Sequence, residues 1–454
     1  MSTATPTASP FTTLSTLPRP RSSAAAWAKL FMAPEAARQE LTRLGERFVL
    51  KVPLMPTMMW TSSPEDVRAV FQDKSGALSF GTALRRMAPH EIVFGDRIMT
   101  WWASDNHTEM RRAVTPAFMG KALQGYRPAM EDVARRMVRE LPTDTPIRFH
   151  SYARTMAREV IMSVVFGVTE PQRRSRLAKC MDDLDQLIGS KAMELRYAAA
   201  MMSRGRWLPF PALDRVLSDL DRVTHEEIAA RRAAPATDRS DCLAVFLRIQ
   251  EANKSSGMDD EMIAGFQRLL LVAGNDTTAA TLSWVIERLA RHPQVLARLE
   301  DSLAADDDTY LDAVITETLR LRPTVPFTAR MINRDVVINN THLPQGSMVW
   351  LYINAIHRSA DLYDAPDEFR PERFLGTPPD PYHWLPFGGG INRCLGAHMS
   401  QFEMRVLLRT ILQELTVAPE TSRDEAQQAQ TVLILPKKRA TVTLNKRTGP
   451  LAQS

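Results

Sequence analysis

Cysteine is scarce in this chain: Cys180, Cys242 and Cys394 are its only three. Residues so few and so far apart build neither a disulfide framework nor a zinc cage. Such usage fits a reducing compartment, and a cytoplasmic protein is expected. Long apolar runs are also missing. Residues 24–32 are apolar but broken by Lys29, well short of the roughly 20 residues a membrane span needs, and no later segment reads as an anchor. Basic residues are never massed: the net charge is +5, yet Lys and Arg are spread along the chain, so nucleic-acid binding is not indicated. Strand-like alternation is sparse, and neither an internal repeat nor a linker divides the 454 residues.

What is present is helix. From about residue 24 to 322, apolar positions recur at three- and four-residue spacing, with Pro or Gly at the breaks. Strands are expected only at residues 47–52, 58–61, 336–338, 348–351, 431–435 and 440–444. The expectation is one large domain over residues 24–446, mainly α with small β-sheets (α+β), flanked by a flexible segment at 1–23 and a flexible tail at 447–454. With 44% hydrophobic and 24% charged residues it has ample material for a core.

One helix is unusually long. From Asp260, read as its N-cap, to Arg291 before Pro293 there is no proline and the interior is strongly apolar. Its centre breaks the pattern: Ala273-Gly274-Asn275-Asp276-Thr277-Thr278 puts glycine, a carboxylate and hydroxyls where an interior helix should be apolar. Local violations of this kind are expected at functional sites. A polar kink satisfied by backbone bonds is the plain alternative.

The segment Phe387-Gly388-Gly389-Gly390-Ile391-Asn392-Arg393-Cys394-Leu395-Gly396-Ala397 is the most informative. Three consecutive glycines allow backbone conformations that other residues resist and let the chain approach a flat ligand. Residues 395–415 have helical periodicity, which places Cys394 near a helix N-terminus, where N–H groups and the dipole favour a thiolate. A glycine loop for phosphate is the competing reading, although the Lys-Ser/Thr ending of a P-loop and the spacing of a dinucleotide fingerprint are both absent.

Phe-Gly-Gly-Gly-x-x-Arg-Cys-Leu-Gly closely resembles the haem-binding loop of the cytochrome P-450 family, in which the cysteine thiolate is the axial iron ligand. Four further motifs follow the family order. Glu317-Thr318-Leu319-Arg320 resembles Glu-x-x-Arg, and Pro371-Glu372-Arg373-Phe374 supplies Arg373, so the resemblance implies a structural triad of Glu317, Arg320 and Arg373. The centre of the long helix resembles Ala-Gly-x-Asp/Glu-Thr-Thr, which implies that Gly274 opens the helix over the iron while Asp276 and Thr277 relay protons for O–O cleavage. His107 and Arg111, four apart, resemble the His/Trp-x-x-x-Arg element that holds haem propionates, and Arg330 stands where the family supplies another propionate arginine. Ala273, Phe387, Gly388, Gly390, Arg393 and Gly396 complete the implied cofactor contacts. Asn392 departs from the pattern, since His or Arg usually stands two residues before the cysteine.

The resemblance, which spans about residues 40–445, implies a haem b monooxygenase that uses O2. Electrons would come from a separate ferredoxin or flavodoxin with its reductase, because the chain shows no flavin, nicotinamide or iron–sulfur motif. A monomer without a membrane anchor and a small lipophilic substrate (fatty acid, terpenoid or steroid) are expected, with Phe94, Met99, Trp102, Leu270, Val325, Phe327 and Val432 along an apolar pocket. A peroxide-driven peroxygenase, a haem-thiolate sensor, and an isomerase or dehydratase on the same fold remain alternatives. Asp276 and Thr277 count against each.

Overall fold

The computed structural model describes residues 11–87, 98, 107–202, 209–234, 239–252, 258–430 and 432–449. Helices dominate, and the helix Asp260–Arg291 is the axis of the fold. Its 32 residues span roughly 48 Å at 1.5 Å per residue. The cap lies one residue earlier than expected: Asp259, in extended conformation, accepts the Met262 N–H at 2.9 Å. This helix is also long and apolar enough to cross a membrane, which the sequence reading did not credit, but 67% of the apolar window is buried inside the protein. It is a core helix, with Phe149–Val160 and the π-helical turn Ile161–Phe166 packed along it.

The sheets are small and lie to the sides. Five strands run in the order Arg47–Leu50, Met58–Thr61, Met348–Leu351, Thr328–Ile332, Leu78–Ser79. Successive side chains alternate faces along a strand. Trp60 pairs with Trp350 and stacks on it at 4.9 Å, and both lie on the face with Ala329 and Met331. Arg330, opposite Val349, therefore points the other way, toward Phe71 and Phe80. A three-stranded sheet joins Leu415–Pro419, Thr441–Lys446 and Pro146–Arg148, and Gln427–Gln430 pairs with Leu433–Pro436. Thr328–Ile332, Pro146–Arg148, Leu415–Pro419 and Gln427–Gln430 are strands of only three to five residues, too short for their alternation to stand out, and sequence reasoning passed over them.

The N-terminal segment read as flexible is placed from residue 11 onward. Thr12–Thr13 adds a parallel strand to Thr341–Leu343, Leu14 is buried, and Ser22 caps the helix Ser23–Met32. At the other end, Arg447 donates to the Leu412 carbonyl and pairs with Glu300.

Candidate functional site

The cysteine loop is built by glycine geometry. Gly388 and Gly390 sit at φ +62° and +63°, the left-handed region that L residues resist. A Cβ on Gly389 would fall within 2.2 Å of the Phe71 ring, and one on Gly390 within 2.5 Å of the Phe71 carbonyl. The loop is therefore pressed against the helix Pro64–Gln72 and can be so only without side chains. Cys394 donates its N–H to the Phe387 carbonyl at 2.9 Å, which folds the loop back on itself. Gly396 then caps the helix Ala397–Glu414.

Cys394 is enclosed by protein, yet its surface is accessible. The two hold together if the thiol opens onto an internal space. Burial pushes the thiol up; the Gly396 N–H, Arg111 and Arg393 act against this and do not cancel it. The helix terminus alone therefore does not secure a thiolate as the sequence suggested. Arg111 donates to the Arg393 carbonyl and so touches the loop.

The centre of the long helix shows the same paradox. Leu271, Asn275 and Thr278 are buried, while Ala273 is exposed and Val272, Gly274, Asp276 and Thr277 are half-buried. Ala273 is thus the residue on the open face. Gly274 is half-buried, and a Cβ there would stand 3.5 Å from Ile161 Cδ1 on the neighbouring π-helical turn, an ordinary contact. Thr277 Oγ1 donates to the Ala273 carbonyl at 2.6 Å, a bond one turn back that holds the hydroxyl at the anomaly. Asp276 is not free: Arg154 Nε donates to it at 2.9 Å, and the same guanidinium pairs with Asp185 at 2.9 Å. Neither Arg154 nor Asp185 carries any signal in the sequence.

Two cations lie near the loop without acidic partners among the described residues. Arg330 is 5% exposed, donates only to Thr328 Oγ1 and the Ala329 carbonyl, and is drawn down to about 10 by burial. Its guanidinium lies 5.8 Å from the Phe71 ring, against which Gly389 of the loop packs. Arg111 is the second, lowered chiefly by burial. His107, buried one turn before it, is drawn down to about 4 by burial and by Arg111. A cation withdrawn from water without a counter-charge is costly, fully so at buried Arg330 and in part at half-buried Arg111, so this pair suits an anionic ligand.

A sequence profile described as Cytochrome P450 matches residues 27–444. This chain belongs to the cytochrome P450 family. Three relatives bear the names Putative cytochrome P450 137, 135B1 and 138. The first, from Mycobacterium tuberculosis, is 32% identical over 433 residues, 93% of this chain and 89% of the relative. The second, from Mycobacterium bovis, is 33% identical over 407 residues, 88% and 84% respectively. The third, also from Mycobacterium bovis, is 31% identical over 412 residues, 89% and 90%. The chain is accordingly a P450 monooxygenase, an oxidoreductase of a family that uses haem with cysteine thiolate ligation, O2 and a redox partner.

Within this P450 the charged triad is assembled and buried. Glu317 accepts from Arg320 Nε and Nη2 at 2.7 and 2.8 Å, from Arg373 Nε at 3.1 Å and from the Arg370 N–H at 2.9 Å. Arg320 spends its remaining donors on the carbonyls of His357, Pro366 and Glu368 at 2.6, 2.7 and 3.0 Å. The pair is thus a clamp on the chain between residues 357 and 370. His357, which sequence reasoning missed, stands between that clamp and the cysteine loop.

The pocket residues divide. Phe94, Met99 and Trp102 lie outside the described residues. Leu270 and Val325 are half-buried and Val432 is exposed, but Phe327 is buried among aromatic rings, 5.5 Å from Trp60, 5.2 Å from Trp350 and 5.8 Å from Phe31. It belongs to the core of the five-stranded sheet, not to a pocket wall. Asn392 is half-buried and Arg112 is exposed.

Proposed function

We propose that Cys394 is the axial thiolate of haem b, held between the Phe387–Gly396 loop and the Ala273 face of the long helix. The observation that carries this reading is the Phe387–Gly396 loop itself, whose glycine geometry seats Cys394 with an accessible surface in a chain of a family that ligates haem through a cysteine. The donor set fits: one sulfur for iron, and two cations without acidic partners among the described residues, half-buried Arg111 and buried Arg330, with His107 for two carboxylates. The haem, once bound, supplies oxygen activation.

The residues supply the rest. Thr277 Oγ1, anchored on the Ala273 carbonyl, holds a proton at the open face, and Asp276 renews it from solvent. The Arg154 pairing means that Asp276 must let go of that guanidinium to carry a proton, so Arg154 and Asp185 set when delivery occurs. Leu270, Ala273 and Val325 exclude water and favour a lipophilic substrate of fatty acid, terpenoid or steroid type. Arg112, exposed beside the loop-touching Arg111, suits docking of a small acidic ferredoxin or flavodoxin served by its reductase.

The test is spectroscopic. The haem-loaded protein is reduced, carbon monoxide is added, and the Soret band is recorded. A red-shifted, thiolate-type band is expected in the wild type and absent in Cys394→Ala; its absence in folded wild type, or persistence in the variant, refutes the assignment.

A further inference from the structure

His357 lies fully buried between two structural units that no other single side chain joins so directly among the described residues. On one side it meets the clamp: its Nδ1 is 3.0 Å from the Arg320 carbonyl, and Arg320 Nη1 returns a bond of 2.6 Å to the His357 carbonyl. On the other side the Leu385 N–H reaches its Nε2 at 2.7 Å. A backbone N–H can only donate, so Nε2 must be the acceptor and the ring proton must sit on Nδ1, donated to Arg320. The ring is therefore a neutral imidazole in one tautomer, and both nitrogens are used. Burial and the neighbouring Arg320 charge, which draw it down to about 3, favour the same neutral form.

From Leu385 the bonding continues to the cysteine. The Leu385 carbonyl accepts the Gly388 N–H at 2.9 Å, and the Phe387 carbonyl accepts the Cys394 N–H at 2.9 Å. Every link from Glu317 to Cys394 is thus a hydrogen bond or a span of one or two residues. Two further side chains pin the same stretch: Tyr363 Oη donates to the His383 carbonyl at 3.0 Å and Trp384 Nε1 to the Thr316 carbonyl at 3.1 Å. These hold the approach to the loop. Among the described residues, His357 is the side chain that holds the Leu385 N–H, where the turn starts.

We infer that His357 is a positioning residue that fixes the cysteine loop by accepting the Leu385 N–H at Nε2. It transmits the rigidity of the Glu317–Arg320 pair to the loop, and that acceptor is the part of the ring that matters for ligation. The inference rests on the reading of Cys394 as the ligand.

Two substitutions separate the ring's two bonds. His357→Gln can place an amide oxygen near the Nε2 position and keep the Leu385 acceptor. His357→Asn keeps a donor for the Arg320 carbonyl but stops short of Leu385. In each haem-loaded protein, conversion of the reduced carbon monoxide complex from the thiolate-type to the non-thiolate band is timed. In the haem-free chains, exchange of the Leu385 amide and the urea midpoint are measured. His357→Asn should convert about tenfold faster than wild type or more, with Leu385 exchange raised in parallel, the effect expected of one orphaned buried N–H. His357→Gln should stay near wild type in both, while the two urea midpoints fall alike.

Equal conversion in the two variants, or faster conversion in His357→Gln, overturns the inference and leaves the ligand assignment standing. A wild type without the thiolate-type band removes both. A measurement without mutation guards against variants that fail to fold: nitrogen NMR of the wild-type ring should show the proton on Nδ1, and a proton on Nε2 overturns the inference outright.

Discussion

Arg320→Ala is expected to cost this protein more than any other single change at its charged triad. The guanidinium makes five hydrogen bonds, two to Glu317 and one each to the carbonyls of His357, Pro366 and Glu368, and both charged side chains are fully buried. Breaking a buried pair from one side costs about 3–5 kcal/mol, because the remaining charge is stranded. Each carbonyl left without a donor adds about 1–3 kcal/mol. The low ends of these already reach about 6 kcal/mol, against a typical total stability of about 5–15 kcal/mol. Arg373→Ala is different in kind, since Glu317 keeps both Arg320 bonds and the Arg370 N–H and loses only a bond of 3.1 Å. The Arg373 bonds to the Asp364 and Ala365 carbonyls, at 2.9 and 3.3 Å, lie toward the surface where water can replace them, so about 1–3 kcal/mol is expected there. Urea unfolding of the haem-free chains, followed by far-UV circular dichroism, ranks the two. Arg320→Ala should be largely unfolded without denaturant and Arg373→Ala cooperative with a lowered midpoint. Equal midpoints, or the reverse order, would refute the claim that Glu317–Arg320 is the clamp and Arg373 its outer brace.

Three other outcomes follow from the geometry. Thr277→Ala should keep the fold and substrate binding but divert electrons from product to released peroxide, lowering coupled turnover by about 10²-fold, the usual worth of a positioned proton donor; unchanged coupling would dismiss the hydroxyl's role. Gly390→Ala should abolish haem incorporation, because φ +63° and a Cβ 2.5 Å from the Phe71 carbonyl both oppose it; normal loading would contradict the packed loop. Glu403 is buried and raised to about 8 by that burial, so the folded state holds a proton that the unfolded state gives up above about 4.5. Its contribution is complete below that lower value and is lost as pH climbs through 8, so Glu403→Gln should gain on wild type in urea midpoint between pH 5 and 9; parallel curves would rule the buried acid out.

Residue types at fixed spacing were legible in the sequence, and contacts across the chain were not. Cys394, the glycines around it, Glu317 with Arg320, and the anomaly at Ala273–Thr278 each break a local rule, and a broken local rule is visible one segment at a time. Strands at Met58–Thr61, Val336–Ile338 and Met348–Leu351 also emerged, being short apolar runs between turn residues. His357 and Arg154 break no local rule. Their meaning comes from partners 28 residues away at Leu385 and 122 away at Asp276. Phe327 was misplaced for a related reason: an aromatic residue after a proline fits a pocket wall or a sheet core equally well, and only the ring contacts with Trp60 and Trp350 decide.

The packing of Phe71 against Gly389 and Gly390 bears on the order in which the molecule is completed. Phe71, Arg111, Glu317, Arg320 and His357 all precede the cysteine loop in the chain, so as synthesis proceeds from the N-terminus each surface the loop rests on is made before the loop itself. Closing so long an intervening segment carries an entropic cost that is recovered only when those surfaces are already in place. The cysteine loop is thus laid onto surfaces the chain has already made, and only the helix Ala397–Glu414 and the strands that follow it remain to be added.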